Sequence, residues 1–311
     1  MQHIGFGLWN WIAVIVYLVA MLLVGAYFTK RASQDTDSFF KASGRLPSWA
    51  IGFSIYATTL SAITFMSTPE KAFLTDWAYI AGNIAIVAII PILIAFYVPF
   101  FKKLHVTSAY EYLEARFGPS IRLIGSLLFI IFHLGRIAIV IYLPTLAITA
   151  VSDINPYIVA SLVGILCILY TFLGGFEGVV WSDFIQGVIL LGGALLIIII
   201  GAFEIKGGFG TIVHDAIANK KILSADNWKL NSAAAAIPII FLGNIFNNLH
   251  QYTASQDVVQ RYQASESMEE TKKSLWTNGV LALISAPIFY GMGTMMYSFY
   301  QHQETLPKGF N

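Results

Sequence analysis

The sequence predicts an all-α membrane protein, and three observations carry that prediction. Hydrophobic residues make up 57% of the chain and charged ones only 11%, with a mean hydropathy of +0.70, whereas a soluble domain is about a quarter charged. Eight apolar stretches are each long enough to cross a bilayer as a helix, which takes about 20 residues; a barrel strand takes about half that. The charged side chains fall almost wholly between those stretches, as they must where hydrocarbon cannot solvate them.

The first stretch, 9–28, follows an uncharged heptad. A secretory leader has a basic start and a shorter apolar core, so this is a retained helix, and residues 1–48 form a leading helix with its loop. The second stretch, 49–68, places Thr58, Thr59, Ser61, Thr64, Ser67 and Thr68 among its apolar residues. The third is 77–101, and the fourth, 123–151, holds Arg136. The fifth, 156–176, holds the single cysteine, Cys167, which has no disulfide partner within the chain and reads as a small core residue. The sixth, 178–203, holds Asp183. A connection over 204–231 opens Gly207-Gly208-Phe209-Gly210, and its Ile212, Val213, Ala216 and Ile217 predict a short amphipathic helix over the outer face, a lid or a surface connection. The seventh stretch, 232–256, carries Gly243, Asn244, Asn247, Asn248, His250, Gln251 and Thr253, and the eighth is 274–303.

Lys and Arg collect in the connections after the first, third and seventh stretches: Lys30, Arg31, Lys41, Arg45; Lys102, Lys103, Arg116, Arg122; Arg261, Lys272, Lys273. The opposite side holds Lys71, Lys206, Lys220, Lys221, Lys229 and Lys308. Positive loops remain cytoplasmic, so the N-terminus, the 204–231 connection and the tail after Gln303 are expected outside. A net charge of +1 offers nucleic acid no electrostatic footprint. No His-Glu-x-x-His, no Gly-x-Ser-x-Gly and no Cys/His cluster supports a membrane enzyme.

Hydroxyls and amides inside a span serve where backbone unwinds beside a cavity, and two such spans in corresponding halves mark the binding site of an inverted-repeat transporter. On that spacing 49–203 is a first five-helix repeat, and 232–311 holds the first two helices of a second, truncated one. Two charges inside membrane-length runs sharpen the reading, since such residues line substrate or ion paths. Arg136 suits an anionic substrate, because its planar fork grips a carboxylate at any physiological pH. Asp183 suits a cation, since a carboxylate among apolar residues needs a cation or hydrogen-bond donors to remain ionised; the alternative is a structural carboxylate bonded to Ser182 or to a neighbouring helix.

The run Gly174-Gly175-Phe176-Glu177-Gly178-Val179-Val180-Trp181-Ser182-Asp183-Phe184-Ile185-Gln186 resembles the signature of the sodium/solute symporter family. Ser255-Gln256-Asp257-Val258-Val259-Gln260-Arg261-Tyr262 resembles a second stretch of that family, with Gln-Asp standing where the family has Asp-Gln. The resemblance covers essentially the whole chain. It implies a LeuT-like inverted-repeat transporter fold, with eight transmembrane helices present and the second repeat incomplete, and Na+-driven alternating access in the plasma membrane. It also implies a sodium site built on the carbonyls of Ala57 and Leu60 with hydroxyls from a later helix, and a further sodium at Asp183. Within the family the likeness is to the bacterial sialic acid transporters, whose substrate contacts fall here on Thr59, Ser61, Thr64, Asn83 and Arg136. At the Asn83 position relatives often carry a longer amide. His133, one turn before Arg136, reads as a packing residue. Symport of proline, a sugar or pantothenate, and a sensor domain ahead of a signalling module, are the alternative readings.

Overall fold

A computed structural model describes residues 7–104, 108–230 and 236–302; the expectations for the first six residues, for 232–235 at the start of the seventh stretch and for the tail with Lys308 lie outside it. Among the described residues every regular element is helical. Helix α1 (Leu8–Ala32) is the leading span, and a short α2 (Thr36–Lys41) follows, capped by the Asp35 carboxylate, which accepts the Ser38 N–H at 2.6 Å.

The second stretch is a broken helix, α3 (Ser48–Thr59) and α4 (Ala62–Leu74), bent by 61°. Leu60 and Ser61 are extended between the halves, with φ/ψ of −84/122° and −133/172°. Ser61 caps α4 in a reciprocal box with Thr64, each side chain taking the other's N–H at 3.4 Å. These hydroxyls satisfy backbone groups that the break releases inside the membrane.

The third stretch runs as α5 (Ala81–Ile92) and α6 (Val98–Lys103), joined by a π-turn over Leu93–Tyr97. Pro99 accounts for the widened turn, because its ring crowds the carbonyl four residues back and it has no N–H to donate. A surface helix α7 (Ala109–Phe117) leads through Gly118 to α8 (Pro119–Val151).

Helix α9 (Pro156–Glu204) is 49 residues long and contains the fifth and sixth stretches, divided at Gly175 with φ 56° and ψ −159°. The Gln186 amide donates to the Tyr170 hydroxyl at 3.4 Å, although 16 residues of straight helix would separate them by about 24 Å. The two halves therefore fold back on each other. Only glycine fits the turn, since an added Cβ would stand 2.9 Å from Ala32 Cβ.

The outer connection forms α10 (Gly208–Ala218), with Ile212 and Ala216 buried but Val213 and Ile217 exposed. It is tied down rather than loose. Asp215 accepts from Ser298 Oγ and pairs with His302 at 2.9 Å, and Lys221 caps the end of α4 through the Phe73 carbonyl at 2.7 Å.

The seventh stretch is α11 (Ile237–Ala254), then extended Ser255, then α12 (Gln256–Ala264). The sequence places an interruption among the polar residues from Gly243 to Thr253; the structure corrects this and puts it at Ser255. The helix survives its polar residues because several bond back along it, Asn244 to the Ile240 carbonyl at 2.8 Å and Thr253 to that of Leu249 at 2.6 Å.

The last helix, α13 (Met268–Gln301), begins earlier than the apolar pattern, at Ser267, whose hydroxyl accepts the Glu270 N–H at 3.2 Å. It packs on α3, α4, α5 and α9. At Gly293 a Cβ would lie 2.1 Å from the Pro69 carbonyl, so the missing side chain lets α13 press directly on α4.

Length and apolarity single out five crossing helices among the described residues, or six with the bent pair as one span. The eight expected stretches map onto them because α9 contains two and α11 is too polar to qualify. The core joins Ile51 and Ile55 of α3, Val180 of α9, Tyr252 of α11, Val258, Val259 and Tyr262 of α12 and Leu275 of α13.

Candidate functional site

The break in the second stretch opens on a cavity of about 400 Å³. Thr59, Leu60, Thr64 and Thr68 form one wall, Gly82, Asn83 and Ile86 of α5 a second, and Ser285, Phe289 and Tyr290 of α13 a third. Asn244, Asn247, Asn248 and Gln251 of α11 form the fourth; their spacing of three or four residues puts all four amides on one helical face. Arg136 of α8 enters the same space.

Four of the five expected substrate contacts, Thr59, Thr64, Asn83 and Arg136, thus meet in one cavity. Ser61 is not among the lining residues; its side chain caps α4 instead. Asn83 is anchored by a hydrogen bond from its amide to the Ala282 carbonyl at 3.2 Å.

The position of Arg136 follows from the break. The last carbonyls of a helix have no partner within it and carry the negative end of its dipole. Arg136 Nη2 donates to one of them, that of Thr58, at 3.1 Å. Its Nη1 lies 3.6 Å from a carboxylate oxygen of Asp257, and His133 Nε2 lies 3.9 Å from the same oxygen. His133 also packs its ring on Phe129. The guanidinium is partly accessible, its side chain 31% exposed.

Of the expected sodium ligands, Leu60 lies at the break on the cavity wall and Ala57 sits one turn earlier in α3. The Ser61 N–H, which a continuous helix would aim at the Ala57 carbonyl, turns to Thr64 Oγ1, so that carbonyl leaves the helical ladder.

Asp183 is elsewhere. Its Oδ2 accepts from Ser54 Oγ at 2.5 Å and from Arg261 Nη2 at 2.9 Å. Ser54 precedes Leu60 by six residues, about 9 Å along a helix. Arg261 is buried and donates further to Ser54 Oγ at 2.8 Å and to the Asp257 carbonyl at 2.6 Å. The charged partner of this carboxylate is therefore Arg261 of α12.

Sequence reasoning missed Asp257, Arg261 and the role of the α11 amides as a cavity wall. The signals were present: the Gln256-Asp257 order, and a polar stripe at helical spacing. Gln256 uses its carbonyl to accept the Ala109 N–H at 2.8 Å, which leaves Asp257 to face Arg136.

A broken helix beside a polar cavity, among several helices long and apolar enough to cross a bilayer, marks a multi-pass membrane protein with a ligand-sized cavity between its helices. The chain belongs to the sodium:solute symporter family, whose model matches residues 39–306. It is 46% identical, over all of its length, to the sodium/sialic acid symporter SiaT of Proteus mirabilis (strain HI4320) and to the sodium/sialic acid symporter NanT of Aliivibrio fischeri (strain ATCC 700601 / ES114). It spans 63% and 62% of their lengths. The sodium-coupled monocarboxylate transporter 1 of Homo sapiens is 30% identical over 302 residues, which cover 95% of this chain and 48% of that protein. A solved structure of a Na+-coupled sialic acid symporter, in a substrate-bound outward-open state that revealed a novel Na+ site, superposes with a TM-score of 0.93. That match has 46% identity and covers 99% of this chain and 64% of the other.

Proposed function

We propose that this chain carries the ligand-binding core of a Na+-coupled symporter for an anionic solute of the sialic acid class, working by alternating access in the plasma membrane with its N-terminus outside. One observation carries the reading: a partly accessible arginine, the one charged side chain among the lining residues, stands in a cavity whose walls carry hydroxyls, amides and aromatic rings among aliphatic residues. In that setting Arg136 takes the substrate carboxylate, with Thr59, Thr64 and Asn83 beside it, while Ser61 shapes the wall by capping α4. The α11 amides face the substrate's hydroxyls and amide. The cavity volume lies within the range usual for small-molecule sites, about 300–1,000 Å³.

The break supplies the cation. Carbonyls released at Ala57 and Leu60 are hard oxygen donors of the kind such ions favour, and Asp183 with Ser54 forms the second cation position. Kinship with a monocarboxylate transporter and the same arginine favour a second reading, a small carboxylate without hydroxyls. The polar α11 wall, which such a ligand leaves unpaired, supports the first.

The test is uptake of radiolabelled N-acetylneuraminate into proteoliposomes holding the full-length protein, with and without an inward Na+ gradient and with excess unlabelled pyruvate. Uptake that needs the gradient and ignores pyruvate is expected. Gradient-independent uptake, or full competition by pyruvate, contradicts the reading.

A further inference from the structure

We propose that α12 is a double latch in which Asp257 and Arg261 act as internal surrogates for the two ligands, so that each ligand displaces the surrogate bearing its own charge. The inference rests on the symport reading above.

The two residues are one helical turn apart on a nine-residue helix bounded by non-helical Ser255 and Ser265. Each reaches a different ligand site. Asp257 stands 3.6 Å from Arg136, the group expected to take the substrate carboxylate. Arg261 stands 2.9 Å from Asp183, the group expected to take a cation. The charges match: a carboxylate occupies the place of a carboxylate, and a cation the place of a cation. A substrate carboxylate at Arg136 and the Asp257 carboxylate compete for one positive charge, and Na+ and Arg261 compete for one negative charge, in surroundings where screening is weak.

The consequence is a coupling between the ligands. Substrate alone frees Asp257 while Arg261 is still held by Asp183, which strands a mostly buried negative charge left with the Val258 N–H at 3.1 Å and His133 at 3.9 Å but no fixed cation. Na+ alone strands Arg261, whose side chain is 7% exposed. An unpaired buried charge is strongly unfavourable. With both ligands bound the two displaced residues can pair with each other, since an acidic residue four positions ahead of a basic one is the favourable order on a helix. Arg261 already reaches the Asp257 carbonyl at 2.6 Å. Either ligand alone leaves a charge unmatched; both together leave every charge matched and cut α12 loose from α8 and α9. Asp257 and Arg261 are thus positioning residues that make binding of one ligand favour the other.

The experiment is calorimetric titration of the full-length protein with N-acetylneuraminate at zero and at saturating Na+, with choline holding ionic strength. The readout is the ratio of the two affinities. Wild type is expected to show a ratio within the usual coupling range of roughly 5- to 150-fold. Asp257→Asn keeps the side chain's shape and removes its charge, so affinity without Na+ should tighten and the ratio should fall at least threefold. In Asp257→Asn/Arg261→Gln, with both surrogate charges gone, the ratio should approach one while N-acetylneuraminate still binds. An Asp257→Asn protein with an unchanged ratio, or one that weakens equally at both Na+ concentrations, overturns the latch and makes Asp257 a mere prop for Arg136. Wild type that fails to bind N-acetylneuraminate, or binds it without regard to Na+, overturns the symport reading together with the latch.

Discussion

Arg136 is where sequence and structure meet most directly. It was legible because a charge in a membrane-length run has to be explained, and the structure supplies the local cause, a helix end whose Thr58 carbonyl needs a donor. Arg136→Ala in the full-length protein is expected to weaken N-acetylneuraminate binding by roughly 30- to several-thousand-fold, the effect of about 2–5 kcal/mol for one partner of a desolvated pair. A calorimetric affinity within threefold of wild type contradicts the assignment. Asp183 was legible for the same reason, but its partner was not, because Arg261 and Asp183 stand 78 positions apart and no local pattern connects them. That partner changes the mutational forecast. Asp183→Asn takes away the cation's attraction and also strands Arg261, so its thermal midpoint in detergent should fall, whereas Asp183→Asn/Arg261→Gln should recover much of the loss. Both variants should show a raised half-saturation for Na+ in uptake. Sodium dependence unchanged in the double variant would leave Asp183 a structural residue.

At the scale of elements, the break at Leu60 and Ser61 was readable from hydroxyls crowded into one span. The interruption of the seventh stretch was misplaced because amides inside a helix have two uses. They can satisfy unwound backbone, or they can line a cavity from an intact helix, as on α11. The turn inside α9 falls at Gly175, one residue before the end of the fifth stretch, and it yields a forecast. Gly175→Ala forces a side chain into a backbone region almost exclusive to glycine, at about 1–3 kcal/mol, and against Ala32. A lowered thermal midpoint is expected, and an unchanged one would mean that the turn relaxes freely. The α10 latch gives a pH forecast. Burial alone would raise the Asp215 pKa, but hydrogen bonds from Ser298 and His302 hold it below the ordinary carboxylate range. A carboxyl depressed in the folded state stabilises above its unfolded pKa of about 3.9 and loses that contribution as pH falls. Hydrogen-exchange protection over 205–218, taken relative to the intrinsic rate at each pH, should therefore fall below about pH 4 and be low at neutral pH in Asp215→Asn. Equal protection in wild type and variant at pH 7 would show that α10 is held by its apolar face alone.

For the whole molecule, composition and run length disclosed an all-helical membrane protein, and two motifs disclosed its family, because both depend on local chemistry. What remained hidden was assembly: that α13 presses on both halves of the broken helix, and that α12 links the cavity to Asp183. Those features join residues far apart in the chain, and glycine contacts such as Gly293 on Pro69 become meaningful only once the partner helix is in place. The account rests on one claim, that the cavity at the helix break is an anion site governed by Na+. It is tested most directly by equilibrium binding of N-acetylneuraminate and of its uncharged methyl ester at zero and saturating Na+. The account predicts Na+-dependent binding of the acid and at least about 30-fold weaker binding of the ester, the lower bound for an unpaired desolvated charge. Equal affinity for acid and ester, or acid binding indifferent to Na+, would contradict it.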